Sequence, residues 1–484
     1  MRLDALAPGC GNAEVAGLSG TTDIEVSGFA IDHRKVAPGN VFGAFRGAAF
    51  NGEDFIAPAV ARGAVAVVAA PEARVEGAAH IADAEPRRRF AALAARFYAP
   101  YPATTVAVTG TNGKTSTVEM TRQLWRMAGH RSASVGTLGV ITADEQVKTG
   151  LTTPDIVTFL SNLSGLAKMG IDHLAYEASS HGLDQYRSEG LPVAAAAFTN
   201  FTRDHLDYHG TMEAYFEAKM RLFDTVVDEG GAAVVWTGDP RSVEVAARAS
   251  GGGLRVLTVG PGGDTVTLKS QVPSPLGQTL VVGHAGRDWT LKLPLIGAYQ
   301  AANVLVAAGL VLATGGKWDE TFAGLSRLSP VRGRLERAVI TPAGAPVYVD
   351  YAHTPDAIEA AIAALRPHVA PGGRLITLFG AGGDRDQGKR PEMGRVAAEK
   401  SDLVIVTDDN PRTEDPSAIR RAILAAAPGA REIGDRRAAI AAAIAEAREG
   451  DIVLLAGKGH ETVQVIGDTA LPFDDAQVAR ECAQ

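Results

Sequence analysis

The chain divides into short apolar runs that end in glycine-rich or charged turns. In its last third, "PVYVD", "RLITLFG", "LVIVT" and "DIVLLAG" alternate with stretches whose apolar residues fall at helical spacing, among them Ile358, Ile362 and Leu365. Strand–helix alternation predicts right-handed crossovers and a mainly parallel sheet. Each of the four strands runs into a polar loop: "DYAHTPD", "GAGGDRDQGKRP", "DDNPR" and "GKGHE". In an open parallel sheet such loops share one edge, where ligands bind.

The middle of the chain follows the same grammar. "TTVAVTG" reads as a strand, and Val118, Leu124 and Trp125 lie at helical spacing behind it. "IDHLAYEASS", "AAAAFTN" and "GAAVVWTGD" read as further strands with loops. Residues 254–293 switch to shorter alternating runs, an antiparallel excursion. "YQAANVLVAAGLVLATG" returns to helix and stops at a glycine pair suited to a C-cap. The first hundred residues carry "VFGAF" and "AVAVVAA" and close on the proline-rich "YAPYPA", a linker. The expectation is an α/β fold of three domains. Residues 1–102 form a small α/β unit, and 103–330 and 331–484 carry mainly parallel, Rossmann-like sheets.

A length of 484 residues suits about three domains at ~150 residues each. Net charge is 47 − 55 = −8, which argues against a nucleic-acid binder but leaves room for a local cluster that holds a small anion. The two cysteines, Cys10 and Cys482, form no CxxC pattern, which disfavours a zinc site and fits a reducing cytosol. "MRLDALAPGC" has no apolar signal core, and runs such as "VLVAAGLVLA" fall short of the ~18 residues of a membrane span. A cytoplasmic monomer without a membrane span is expected.

Candidate chemistry begins at "TGTNGKTS", Thr109–Ser116. It follows a strand and opens a helix, so backbone N–H groups and the helix N-terminus can face a phosphate. Lys114 can reach terminal phosphates, and Thr115 can ligate Mg²⁺. The usual G-x-x-x-x-G-K-[ST] spacing is not met, because Val108 stands five residues before Gly113. Glu177, at a strand's end near this loop, suits a magnesium ligand or is a surface acid. Asp204, His205, Asp207 and His209 suggest either metal binding or a polar loop that caps a helix starting near Thr211.

The departure from the common spacing is informative. G-T-N-G-K-T-S resembles the nucleotide loop of the Mur ligase and folylpolyglutamate synthetase superfamily of ATP-dependent amide-forming enzymes. "EASSHGLDQYR", "TNFTRDHLDYHG" and "YFEAKMRLF" resemble the central domain of the member that extends UDP-N-acetylmuramoyl-L-Ala-D-Glu. "PVRGRLE", "VDYAHTPDAIE", "FGAGGDRDQGKRPEMG", "TDDNPRTEDP" and "AGKGHE" resemble its C-terminal domain. "GFAIDHRKVAPGNVFGAFRGAAFNGEDFI" resembles its uridine-binding domain.

The resemblance implies that Gly110, Thr111, Asn112, Gly113, Lys114, Thr115 and Ser116 hold ATP, with Asn303, Arg334 and Asp350. It implies that Glu177 and His205 place Mg²⁺ with Thr115, and that Lys219 matches a lysine that becomes a carbamate and a further metal ligand. Lys114, Glu177, His205 and Lys219 are then the catalytic set. Ile31, His33, Thr152, Thr153, Ser179, Gln185 and Arg187 would contact the UDP-N-acetylmuramoyl dipeptide. One departure concerns His33, where the family usually has serine between Asp32 and Arg34. The implied chemistry is phosphoryl transfer from ATP to a carboxylate, followed by attack of an amine on the acyl phosphate.

The amine is read from "VIVTDDNPRTEDP". A branched apolar strand leads to an exposed, proline-stiffened turn bearing Arg412. Guanidinium pairs bidentately with carboxylate, although an isolated arginine is as readily a solvated or salt-bridged one. With Arg385, Glu461 and Gly457 on neighbouring loops, the pocket suits a molecule with two carboxylates and an ammonium. By resemblance, Asp409, Asn410, Pro411 and Arg412 form a meso-diaminopimelate recognition motif. Rival readings are a folylpolyglutamate synthetase-like ligase, a lysine-adding Mur ligase, and a regulatory protein that hydrolyses ATP without ligation.

Overall fold

The strands around the Gly-Lys segment are buried along nearly their whole length, so they sit inside a sheet covered on both faces. The computed structural model describes residues 1–6, 24–47, 50–147 and 152–484; Cys10 lies outside them. Two compact units result, Met1–Thr258 with Gly309–Gly316, and Val259–Ala308 with Lys317–Gln484.

In the first unit, Gly28–Ala30, Asn40–Gly43, Ala66–Ala69 and Ala79–Ala82 form a four-stranded parallel sheet. Helix Pro86–Tyr98 starts on a proline at its first position, where no intrahelical N–H is needed, and buries Phe90, Leu93 and Ala94. A larger sheet orders its strands Ala232–Trp236, Ala195–Phe198, Thr104–Thr109, His173–Glu177 and Ser132–Gly136, all parallel. Gly139–Ile141 and Gln146–Val147 extend it antiparallel. Helix Lys114–Met127 buries Val118, Leu124 and Trp125, the expected face.

The second unit contains an antiparallel meander, Val266–Ser274, Gly277–His284 and Arg287–Leu293. The excursion expected over 254–293 is antiparallel there, but its first strand, Arg255–Gly260, pairs parallel through Val259 and Val266. A six-stranded sheet follows, in the order Glu336–Ile340, Pro346–Asp350, Ile452–Ala456, Leu375–Phe379, Leu403–Val406, Arg431–Glu432. Only its first pair is antiparallel. Alternate residues bury on opposite faces. Tyr348, Phe379, Val404 and Leu454 face one core, and Val347, Leu378, Ile405 and Val453 face the other. The four parallel strands therefore deliver Asp350, Gly380, Thr407 and Gly457 to one edge, as their loops predict.

Helix Ala298–Ala313 ends as expected at its glycine pair. Gly315 takes φ +93°, and Gly316 N–H donates to the Val311 carbonyl at 2.9 Å. Among the described residues no helix is long and apolar enough to cross a membrane.

Candidate active site

The Gly-Lys loop is held from below by the segment that follows strand Ala195–Phe198. Thr111 N–H donates to the Asn200 carbonyl at 2.9 Å, and Asn112 N–H to Asn200 Oδ1 at 2.8 Å. Thr199 Oγ1 and Asn200 Nδ2 donate to the Asn112 carbonyl at 2.6 and 3.0 Å. Gly110 has φ +144°, and a Cβ there would collide with Thr199 Oγ1. Gly113, at φ +86°, is the N-cap of helix Lys114–Met127. The first turn of that helix thus opens onto the loop, the arrangement that binds phosphate.

Two lysines converge here. Lys114 Nζ donates to the carbonyls of Gly110 and Thr111 at 3.0 and 2.8 Å. Lys219, 1% exposed, donates to the same Gly110 carbonyl at 2.8 Å. Its Nζ lies 4.2 Å from the centre of the Tyr215 ring. Burial, and then the charge of Lys114, push the Lys219 pKa well below the ordinary lysine value.

Glu177 ends strand His173–Glu177 and is 2% exposed. Its Oε1 accepts from Thr137 N–H at 2.7 Å and its Oε2 from Thr137 Oγ1 at 3.2 Å. It is a buried, oriented carboxylate rather than a surface acid. Thr137 Oγ1 lies 3.1 Å from Thr152 Oγ1, and Thr153 Oγ1 lies 2.9 Å from both the Glu177 carbonyl and Ser179 Oγ. Arg187 Nη1 donates to the Thr153 carbonyl and Nη2 to Gln185 Oε1 at 2.8 Å. Gln185 Nε2 donates to Tyr208 Oη at 3.1 Å. Thr152, Thr153, Ser179, Gln185 and Arg187 are therefore joined in one network with Glu177. Sequence reasoning missed Thr137, which sits in a turn with no motif of its own, and passed over Tyr208 inside the quoted "TNFTRDHLDYHG".

His205 takes φ +52° and is half-exposed, with Nε2 3.4 Å from Asp204. Its ring lies 4.9 Å from that of His181 and 6.0 Å from that of Tyr215. Thr211 caps helix Met212–Arg221 by accepting from Ala214 N–H at 3.1 Å, so the capping reading of this segment holds. Asp204, His205, Asp207 and His209 do not gather around one point. Among the described residues the only such group of His, Asp or Glu is His130, Asp172 and His173, at the opposite end of the strand from Glu177.

In the N-terminal segment, Ile31 is 39% exposed, and His33 stacks on Phe55 at 4.5 Å and 5°. Asp32 accepts from Arg34 N–H at 2.9 Å, and the Arg34 guanidinium holds its pKa down at about 2.

The second unit carries the remaining candidates. Asn303 Nδ2 donates to Gln300 Oε1 at 3.0 Å, and Gln300 Nε2 to the Arg334 carbonyl at 3.2 Å. Asp350 accepts from the N–H groups of Leu335 and Ala352 at 2.8 and 2.9 Å, and burial pushes its pKa up. Arg334 lies over the Tyr351 ring at 5.1 Å. Asn303, Arg334 and Asp350 thus share one neighbourhood, with Gln300 as a link the sequence did not suggest.

The turn bearing Arg412 differs from its expectation of exposure. Asp409, Asn410 and Pro411 are buried and Arg412 is half-buried, because strand Val463–Ile466 runs against it. Arg412 N–H donates to the Val465 carbonyl at 3.0 Å. Arg412 takes φ +49°, and its Nη1 donates to the Gly383 carbonyl at 2.7 Å. A Cβ on Gly382 would lie 2.9 Å from Arg412 Nη1 and 3.8 Å from Arg385 Cγ, so the two arginines flank that glycine. Gly457 takes φ +110°, and a Cβ there would lie 2.6 Å from Asp409 Oδ2. Asn410 Nδ2 donates to Glu461 Oε2 at 2.8 Å. Arg385, Asp409, Asn410, Arg412, Gly457 and Glu461 are brought to one loop cluster. Lys458, fully buried between Asn410 and Glu461, is a member that sequence reasoning passed over inside the quoted "GKGHE".

Residues 25–108 match the model of the Mur ligase family catalytic domain, 108–311 the Mur ligase middle domain, and 333–459 the Mur ligase glutamate ligase domain. The UDP-N-acetylmuramoyl-L-alanyl-D-glutamate--2,6-diaminopimelate ligase of Zymomonas mobilis is 57% identical over 95% of both chains. The enzyme of the same name from Caulobacter vibrioides is 51% identical over 94% of both. A solved structure of a UDP-N-acetylmuramoyl-L-alanyl-D-glutamate--2,6-diaminopimelate ligase superposes with a TM-score of 0.76 at 31% identity, covering 100% of this chain and 98% of that one. With three family models in chain order and relatives that align nearly end to end, the chain belongs to the Mur ligase family.

Proposed function

We propose that this protein is the ATP-dependent ligase that joins meso-diaminopimelate to UDP-N-acetylmuramoyl-L-alanyl-D-glutamate in peptidoglycan precursor synthesis. The observation that carries the choice of amine is the Arg412 guanidinium, fixed on the Gly383 carbonyl beside Arg385, with Glu461 on the adjoining loop. Two guanidiniums and a carboxylate complement an amino acid with a second, distal carboxylate. L-lysine lacks that carboxylate, and a folate substrate has no use for the uridine-type segment at residues 25–108.

A free carboxylate is a poor acyl donor and must first be activated. In this reading the dipeptide's terminal carboxylate attacks the γ-phosphorus of ATP, ADP leaves, and an acyl phosphate forms. The amine then attacks the acyl carbon, a tetrahedral intermediate forms, and phosphate departs. Lys114 and the first turn of helix Lys114–Met127 offset the phosphate charge. Gly110–Ser116 bind the phosphates of ATP, and Asn303, Arg334 and Asp350 are the nucleotide candidates within the second unit. Thr152, Thr153, Ser179, Gln185 and Arg187 hold the dipeptide, with Ile31 and His33 at the uridine end.

The donor set fits Mg²⁺. Glu177 and Thr115 offer hard oxygen ligands, and Lys219 offers more once its amine becomes a carbamate; His205 and Lys219 both lie against the Tyr215 ring. A lysine with a depressed pKa spends more time as the free amine that attacks carbon dioxide, losing one proton to solvent as the carbamate forms. When bound, the ion neutralises charge on the transferring phosphoryl group.

The three segments 1–102, 103–330 and 331–484 then serve the uridine substrate, ATP and the amino acid in turn. The enzyme acts as a monomer in the cytoplasm, where its nucleotide substrates are found. Phosphate release tests the reading. It should require ATP, the UDP-dipeptide and meso-diaminopimelate together. Release from ATP alone at the full rate would make the protein a simple ATPase.

A further inference from the structure

We propose that Lys458 is a positioning residue for amine selection: its buried ammonium sets Asn410 and Glu461 for the incoming diamino acid and disfavours a diamine with a single carboxylate. The inference rests on the diaminopimelate reading above and extends it to a residue outside the expected set.

Lys458 has no exposed side-chain surface, although it stands in a loop at the ligand edge of its sheet. A buried ammonium is retained only with good partners. Its Nζ donates to Asn410 Oδ1 at 3.0 Å and to Glu461 Oε2 at 3.3 Å. Asn410 Oδ1 also accepts from Val465 N–H at 2.9 Å, and Asn410 Nδ2 donates to Glu461 Oε2 at 2.8 Å. With two donors on Oδ1, the Asn410 amide has one satisfied orientation, and in it Nδ2 must face Glu461.

Glu461 is oriented in the same way. Oε2 receives both Lys458 and Asn410, while Oε1 takes neither bond and is left for a ligand ammonium. Asn410 follows strand Leu403–Val406 and Glu461 follows strand Ile452–Ala456. Lys458 is therefore the cation that locks two separate loops into one wall.

Its charge has a second consequence. Asp409 and Glu461 bring two negative charges to this wall, which attract any diamine and are only partly offset by Arg436 beneath the same loops. Lys458 offsets one of those charges. Diaminopimelate carries two carboxylates against two ammoniums, whereas lysine carries one carboxylate and a net positive charge. A positive charge behind the wall therefore penalises lysine more, which is selection by repulsion.

The test is Lys458→Met, which keeps the unbranched stem to within one atom and removes the charge. Phosphate release is measured against meso-diaminopimelate, ATP, the UDP-dipeptide and L-lysine, alone and in an Asn410→Ala background. The KM for diaminopimelate should rise at least about tenfold while that for ATP stays within about twofold, because only charge-assisted bonds in the amine pocket are lost. The preference for diaminopimelate over L-lysine should fall by a similar factor. In the Asn410→Ala background Lys458→Met should add less than about twofold, because both changes remove one network.

An unchanged diaminopimelate KM, parallel rises for ATP and diaminopimelate, or full additivity would overturn the proposal. Lys458→Gln, which keeps a donor for Asn410, serves if the methionine variant does not fold. If neither variant melts as a folded protein, Lys458 belongs to the framework and the proposal falls. A parent enzyme with no diaminopimelate-dependent phosphate release removes the function reading itself. A normal parent with unresponsive variants removes this inference alone.

Discussion

Lys219 and Lys114 share one acceptor, the Gly110 carbonyl, at 2.8 and 3.0 Å. Two ammonium groups on one oxygen repel each other, and burial of Lys219 adds to the cost of its charge. Carbamylation replaces that repulsion with attraction. Lys219→Met should therefore abolish phosphate release in the complete reaction yet leave nucleotide binding intact. Enzyme freed of carbon dioxide should regain activity on addition of bicarbonate. Nucleotide affinity is read by calorimetry; a methionine variant with parental turnover would remove the carbamate from the mechanism.

Gly110 cannot accept a side chain, since φ is +144° and Thr199 Oγ1 occupies the space of a Cβ. Gly110→Ala should lose about 1–3 kcal/mol in backbone strain alone, with a lower melting temperature and a raised KM for ATP. A variant with parental ATP kinetics would show that the loop geometry is not what binds the nucleotide.

Arg412→Ala should raise the KM for diaminopimelate by an amount equivalent to about 2–5 kcal/mol, the cost of leaving a charged partner unpaired. The KM for ATP should not move. Arg412→Lys should recover only part of the loss, because an ammonium cannot bind a carboxylate through two parallel bonds. Initial rates at varied amine concentration decide it.

Arg436 and Asp475 form an ion pair with neither side chain exposed. Arg436 also donates to the carbonyls of Ala456 and Asp408 at 3.0 and 3.3 Å, beneath two of the ligand loops. Asp475→Ala strands the guanidinium and should cost about 3–5 kcal/mol in urea unfolding. The half-exposed Arg395–Glu399 pair should be removable without a measurable shift in the unfolding midpoint.

Features written in contiguous residues were legible before the structure. The Gly-Lys turn was one, since strand, glycine, lysine and helix follow within a few positions. The common edge of four strands was another, since strand–helix alternation restricts the topology. Features made by distant segments were not. Arg412 looked exposed because strand Val463–Ile466, which covers its turn, lies some fifty residues on. Thr137 orients Glu177 across forty residues, and Lys458 meets Asn410 across forty-eight. His33 spends its ring on Phe55, a packing contact that no motif announces. The parallel pairing of Arg255–Gly260 with the next strand rests on two residue pairs, Val259 with Val266 and Gly260 with Thr267, too few to mark a pattern.

The most direct measurement of the central claim is mass spectrometry of the product formed when the enzyme is given ATP, UDP-N-acetylmuramoyl-L-alanyl-D-glutamate, and equal amounts of meso-diaminopimelate and L-lysine. The account predicts a UDP-tripeptide carrying diaminopimelate, with the lysine adduct a trace. A lysine product in equal or greater amount, or no ligated product while ATP is consumed, would contradict it.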